Sequence, residues 1–182
     1  MTVKERKNIF KSVLVLLVIC FVVSAALAVV NSFTAPVTAA AAVERENAAR
    51  RAVVPDAAAF TEVTADLPEG VVSAYAAKDS GGKLLGYVFT AEGKGFDGTI
   101  RVMAAIDPEG KILRVSTLDV SSETKTLGGR TASADYTDQY IGQDASLSGV
   151  SAISGATVTS TAYRGCIEAA FRAFDAIKEA GQ

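Results

Sequence analysis

The residues of this 182-residue chain that could do chemistry concentrate in one run, Ser154-Gly155-Ala156-Thr157-Val158-Thr159-Ser160-Thr161. Five of its eight side chains are hydroxyls, and an apolar-periodic segment follows at once. Such a run delivers the chain to a helix N-terminus, where the first N–H groups lack helical partners and the dipole favours an anion. Gly155 and Ala156 let a bulky group approach the backbone. Plain capping of the helix needs only one Ser or Thr, so composition alone leaves a cap and a phosphate site both open.

What the rest of the chain lacks narrows the chemistry. There is no histidine, which removes His-ligated haem, His-containing zinc sites and Ser-His-Asp triads. Two cysteines, Cys20 and Cys166, cannot supply the four thiolates of an iron–sulfur cluster or a disulfide framework. Redox chemistry here requires a cofactor held by other means. Residues 1–11 carry Lys4, Arg6, Lys7 and Lys11 against Glu5, a net of +3; the whole chain is −2, leaving −5 on the remainder. A mildly acidic domain without a basic stripe is a poor binder of nucleic acid, which is not expected as a partner.

The SGATVTS run resembles the flavin-attachment signature of the FMN-binding domain family, which includes the G subunit of Rnf electron-transport complexes and the C subunit of sodium-translocating NADH:quinone reductases. The resemblance extends over nearly the whole chain. It includes the basic N-terminus and single span, the Asn31-Ser32-Phe33-Thr34-Ala35-Pro36 run, and the strand pair around Ile100–Leu118. Glu123-Thr124 with Leu127-Gly128 is similar to the family's E-T-P-G-L-G loop. The short length fits the Rnf member better.

The resemblance implies that Thr157 carries FMN through a phosphoester bond, placed there by a flavin transferase that uses FAD and magnesium. Thr157 is then an anchor and not a catalytic base. Ser154, Gly155, Ala156, Val158 and Thr159 are expected to surround the attachment point, and Glu123, Thr124, Leu127 and Gly128 to line the flavin pocket. A solvated surface loop is the alternative for Glu123–Gly128. Three positions depart from the family pattern: Ser151 stands where Asp is usual, Lys125-Thr126 replace Pro-Gly, and Gly95-Phe96-Asp97-Gly98-Thr99 replaces a G-Y-G-G-P-like stretch.

These residues need elements to position them. Ser12–Val30 is nineteen residues without charge, Pro or Gly, about the length that crosses a bilayer core. It is apolar on every face, unlike a core helix. Ala26-Leu27-Ala28 resembles a signal-peptidase site, but the apolar run exceeds a usual h-region, so a retained span is expected. Asn31, Ser32, Thr34 and Pro36 end the lipid-buried part near Phe33. Basic residues before the span and acidic ones after it place the N-terminus in the cytoplasm.

Beyond the span, the Ala-rich stretch from Thr38 to Ala59 reads as a helix ending near Pro55. Val71–Ala77, Leu84–Ala91, Thr99–Ile106 and Ile112–Val120 read as strands. Asp79-Ser80-Gly81-Gly82 and Asp107-Pro108-Glu109-Gly110 are hairpin turns, so the strands pair antiparallel. Ser121–Ser151 is polar and irregular apart from Tyr136, Tyr140 and Ile141. From Thr159 the chain is helical, with Tyr163, Ile167, Ala170, Phe174 and Ile177 in one core-facing stripe and Cys166 beside it.

The expected organisation is α+β: residues 1–11 a cytoplasmic N-terminus, 12–33 a transmembrane helix, 34–60 a linker helix, and 61–182 an extracytoplasmic, mainly antiparallel FMN-binding domain closed by a C-terminal helix. The resemblance implies an electron-transfer subunit of a membrane-bound, ion-translocating ferredoxin:NAD oxidoreductase, held in the cell membrane beside other membrane subunits. Two rival readings are a membrane-anchored ligand-binding or sensor domain without flavin, and a flavin donor to extracellular acceptors.

Overall fold

The computed structural model describes residues 3–64 and 66–180, without the side chains of residues 3–9 and Ser12. Residues 1 and 2 of the expected cytoplasmic segment thus lie outside the described residues. The chain divides into two compact units, Met1–Glu44 and Arg45–Gln182.

The first helix, α1, runs from Val3 to Val53. In its apolar stretch, Leu14, Leu16, Ile19, Phe21, Leu27 and Phe33 are all more than half exposed. No other described residue of this chain covers these side chains, as suits a helix that associates with a membrane. The expected linker helix over 34–60 is continuous with the span: α1 runs through Pro36 and ends at Val53. Pro36 has no N–H to give to Ser32 O, so one helical bond is missing there and the helix resumes beyond it. Ser32 Oγ donates to Val29 O at 2.7 Å and Thr34 Oγ1 to Val30 O at 2.9 Å, which satisfies both hydroxyls within the helix. α1 stops two residues before Pro55, which disfavours the helical region for the residue ahead of it.

The second unit is α+β. Five strands follow, β1 (Ala59–Glu62), β2 (Val71–Lys78), β3 (Leu84–Lys94), β4 (Thr99–Ile106) and β5 (Ile112–Asp119). They form one antiparallel meander in the order β1-β2-β3-β4-β5. The four longer strands fall where alternation and turns predict them. β1 is the addition: four residues that pair with β2 through Phe60↔Ala77 and Thr61↔Ala76, where the sequence reads as the end of a helix. A short α2 (Ala134–Thr137) and the long α3 (Thr157–Ala180) complete the unit.

Each sheet face is covered by a different helix. α3 lies on one, with Phe89, Ile106, Ile112, Tyr163, Ile167 and Phe174 in a shared core. All five stripe residues expected from the sequence are buried. The other face receives the last turns of α1, where Val53 and Val54 pack against Ala77, Val88, Met103 and Ala105. Arg50 lies 3.7 Å from the Tyr75 ring centroid, a cation–π contact, and pairs with Glu46 at 3.2 Å. The last two turns of α1 therefore pack as part of the domain core.

The polar segment after β5 is organised by tyrosines. Tyr136, Tyr140 and Tyr163 are buried and pack with ring centroids 5.3–5.7 Å apart. Tyr136 and Tyr140 share a hydroxyl contact at 3.1 Å. Desolvation pushes the phenols of Tyr140 and Tyr163 above their ordinary range, so both stay protonated. This cluster ties residues 134–140 to α3 and thereby sets where the helix begins.

Candidate functional site

Three segments distant in sequence meet at the start of α3: the β3–β4 turn, the loop after β5, and residues 155–159. They enclose a cleft of about 290 Å³ lined by Phe96, Glu123, Thr124, Leu127, Gly128, Gly155, Ala156, Thr157, Val158 and Thr159. Nine of the ten residues singled out from the sequence line this one cleft. Ser154 is exposed and outside the lining. The alternative of a purely solvated Glu123–Gly128 loop does not describe the fold, because Glu123 is only 5% exposed.

Glu123 is the knot of the site. Thr159 Oγ1 donates to its Oε2 at 2.6 Å, and the Asp97 N–H donates to its Oε1 at 3.0 Å. Burial by itself raises the pKa of this carboxyl. The Thr159 hydroxyl and the backbone amides of Asp97, Phe96 and Gly98 outweigh burial and hold it below the ordinary 4.5. Glu123 is therefore ionised at neutral pH, and it is the only charged residue among those lining the cleft. Gly128 is required for this arrangement: a Cβ there would fall on Glu123 Oε2 and within 2.7 Å of Thr159 Oγ1.

The loop after β5 makes its turn without the family's Pro-Gly. The Thr124 carbonyl accepts from the N–H groups of Leu127 and Gly129, both at 3.0 Å, with Lys125 and Thr126 exposed at the tip. Ser151, at the other departure, is exposed and its N–H donates to Gln139 Oε1 at 3.0 Å.

The start of α3 is open to a ligand. Ala156 O accepts the first helical bond, from Ser160 N at 2.9 Å, so Ala156 occupies the capping position with a side chain that cannot cap. Among the described residues, no side chain accepts from the N–H groups of Thr157, Val158 or Thr159. The hydroxyls that a capping explanation would use are engaged elsewhere: Thr159 serves Glu123, and Ser160 Oγ accepts from Ile153 N at 3.1 Å. Gly155 takes φ +80°, a left-handed conformation that turns the chain sharply into the helix. Thr157 stands exposed in the first turn.

Two contributors escape a reading of the motif alone. Phe96 enters the lining from the β3–β4 turn, 76% exposed. Ser160 anchors the approach to Gly155 from one turn inside the helix. For Phe96 the signal lies in the Gly95–Thr99 stretch; for Ser160 there is none beyond its hydroxyl.

The site has features that suit FMN: unpaired amides at a helix start for a phosphate, and an apolar rim of Phe96, Leu127 and Val158. Residues 95–172 match the model of the FMN-binding domain family. The chain is 30% identical to the G subunit of the proton-translocating ferredoxin:NAD(+) oxidoreductase complex of Clostridium ljungdahlii, over 87% of this chain and 88% of that one. It is 32% identical to the G subunit of the Na(+)-translocating ferredoxin:NAD(+) oxidoreductase complex of Acetobacterium woodii, over 86% of each. Against the G subunit of the ion-translocating oxidoreductase complex of Methanosarcina acetivorans it is 30% identical, over 87% of this chain and 90% of the relative. With matches of this extent and a cleft of this build, the chain belongs to the FMN-binding G-subunit family of ion-translocating oxidoreductase complexes.

Proposed function

We propose that this chain is the electron-transfer subunit of a membrane-bound, ion-translocating ferredoxin:NAD oxidoreductase, with FMN joined to Thr157 by a phosphoester. The observation that carries the proposal is the exposed Thr157 at an uncapped helix start, inside a cleft assembled from three segments. Bound there, FMN supplies two-electron and one-electron redox chemistry that no side chain of this histidine-free protein offers.

The residues divide the work. The amides of Thr157, Val158 and Thr159 would bind the phosphate and Thr157 Oγ1 would carry it, while Glu123 fixes the surrounding segments. At about 290 Å³ the cleft lies at the low end of ligand sites, roughly 300–1,000 Å³. A cleft of that size would hold part of an FMN. Maturation requires a flavin transferase. Covalent attachment suits a carrier outside the cytoplasm, where a lost flavin is not readily replaced. The basic residues 1–11 remain in the cytoplasm, α1 spans the cell membrane once, and the flavin domain lies on the outer face beside other membrane subunits.

The test is the mass of the intact chain made together with a flavin transferase. The wild type is expected to carry one FMN, retained on a denaturing gel as fluorescence. Thr157→Val keeps the shape and deletes the hydroxyl, so it should fold, assemble and carry none. Covalent flavin persisting in the valine variant would move the attachment to another hydroxyl. A wild type with no flavin would favour the sensor reading.

A further inference from the structure

We infer that Phe96 is the platform on which the ring system of the flavin rests, a role that depends on FMN occupying the cleft as proposed above. The turn that carries Phe96 is fixed from several sides. Gly95 N donates to Gly98 O at 2.8 Å, and Asp97 N donates to the buried Glu123 carboxylate at 3.0 Å. Gly95 packs so closely on Glu123 Oε1 and Ile100 that no Cβ fits there. Yet the one large side chain the turn presents, the Phe96 ring, is 76% exposed.

A buried carboxylate that immobilises a turn bearing an exposed aromatic makes sense when the ring has a ligand to meet. Left bare, that ring is an apolar surface of substantial area held in water. Leu127 and Val158 repeat the pattern from the other two segments, at 42% and 53% exposure in the same lining. Three apolar side chains from three segments thus border a cleft whose inner end is polar. A ligand with a phosphate for the unpaired amides of the helix start and a flat aromatic body for the apolar rim suits both ends, with Glu123 kept occupied by Thr159 and the Asp97 N–H. Phe96 offers the aromatic face, and Leu127 and Val158 offer aliphatic contact. The Phe96 side chain takes part in no core packing, so its truncation should leave the fold intact.

The experiment uses the full chain made with its flavin transferase, as wild type, Phe96→Ala and Phe96→Tyr. Covalent flavin, read by in-gel fluorescence, is expected to be equal in all three. In Phe96→Ala, flavin fluorescence should become more accessible to iodide, by about two- to twelvefold, the scale of one lost aromatic contact. The visible circular dichroism of the flavin should fall with it, and Phe96→Tyr should restore both. Iodide access and dichroism identical to wild type in a flavin-loaded Phe96→Ala overturn the platform alone. So does a variant whose only defect is electron transfer in the assembled complex, which would make Phe96 a docking residue. A wild type without covalent flavin overturns the Thr157 reading and this inference with it.

Discussion

α3 is two structures in one helix. From Tyr163 to Ile177 it is a packing element, with Tyr163, Ile167, Ala170 and Phe174 buried against the sheet. Over Thr157 and Val158 it is exposed, uncapped by any side chain among the described residues, and bordered by a cleft. Thr159, 1% exposed, joins the two by reaching Glu123. The contrast teaches that stability and chemistry are kept apart along a single element. The buried stripe holds the helix in place, and its first turn is left unsatisfied so that a ligand can complete it.

That separation can be broken from either side. Ile167→Ala removes a fully buried side chain and should cost about 3 kcal/mol. Chemical denaturation checks this, and the folded fraction should still accept covalent flavin. Gly128→Ala forces a methyl group between Glu123 and Thr159, so a loss of about 2 kcal/mol is expected from overpacking. Unlike the core variant, it should also disturb the flavin spectrum.

Glu123→Gln keeps the shape and removes the charge, with an expected cost of about 1.5 kcal/mol for hydrogen bonds to an ionised group. The sign of the pH dependence follows from the lowered pKa. Stability contributed by the Glu123 shift is fully present above pH 4.5 and is lost as pH falls through the lower folded value. Denaturation curves of wild type and variant should therefore converge in acid and separate toward neutrality; a constant gap would assign the loss to packing. The smallest stability change belongs to Thr157→Val, under about 1 kcal/mol for an exposed position. A variant that loses all chemistry and almost no stability is the sharpest statement of the contrast.

Much of this is legible in the sequence, for reasons that differ by element. β2 to β5 are readable because β-branched and aromatic runs alternate with turn residues such as Asp79–Gly82 and Asp107–Gly110. The α3 stripe is readable from its spacing. β1 is not, since Ala-Phe-Thr-Glu is too short to show a period and depends on its pairing with β2. The unbroken α1 is hidden by Pro36, a residue that usually ends or kinks a helix. At the cleft, the SGAT resemblance locates the residues, but the bond between Glu123 and Thr159 spans 36 positions and exists only after folding. Ser154, inside the motif, lies outside the lining, while Phe96, outside it, belongs.

Cys166 gives the domain a built-in reporter of local opening. It is the only thiol beyond α1, 2% exposed, with its sulfur packed so near Gly93 of β3 that an added Cβ there would lie 2.8 Å away. Burial pushes its pKa up to about 12, so in the closed state almost none of it is nucleophilic thiolate at neutral pH. Alkylation therefore waits for α3 to lift from the sheet. Its rate measures how often the surface beneath α3 is uncovered, without any label being introduced. Cys20, exposed on α1, faces a different solvent and can be counted separately.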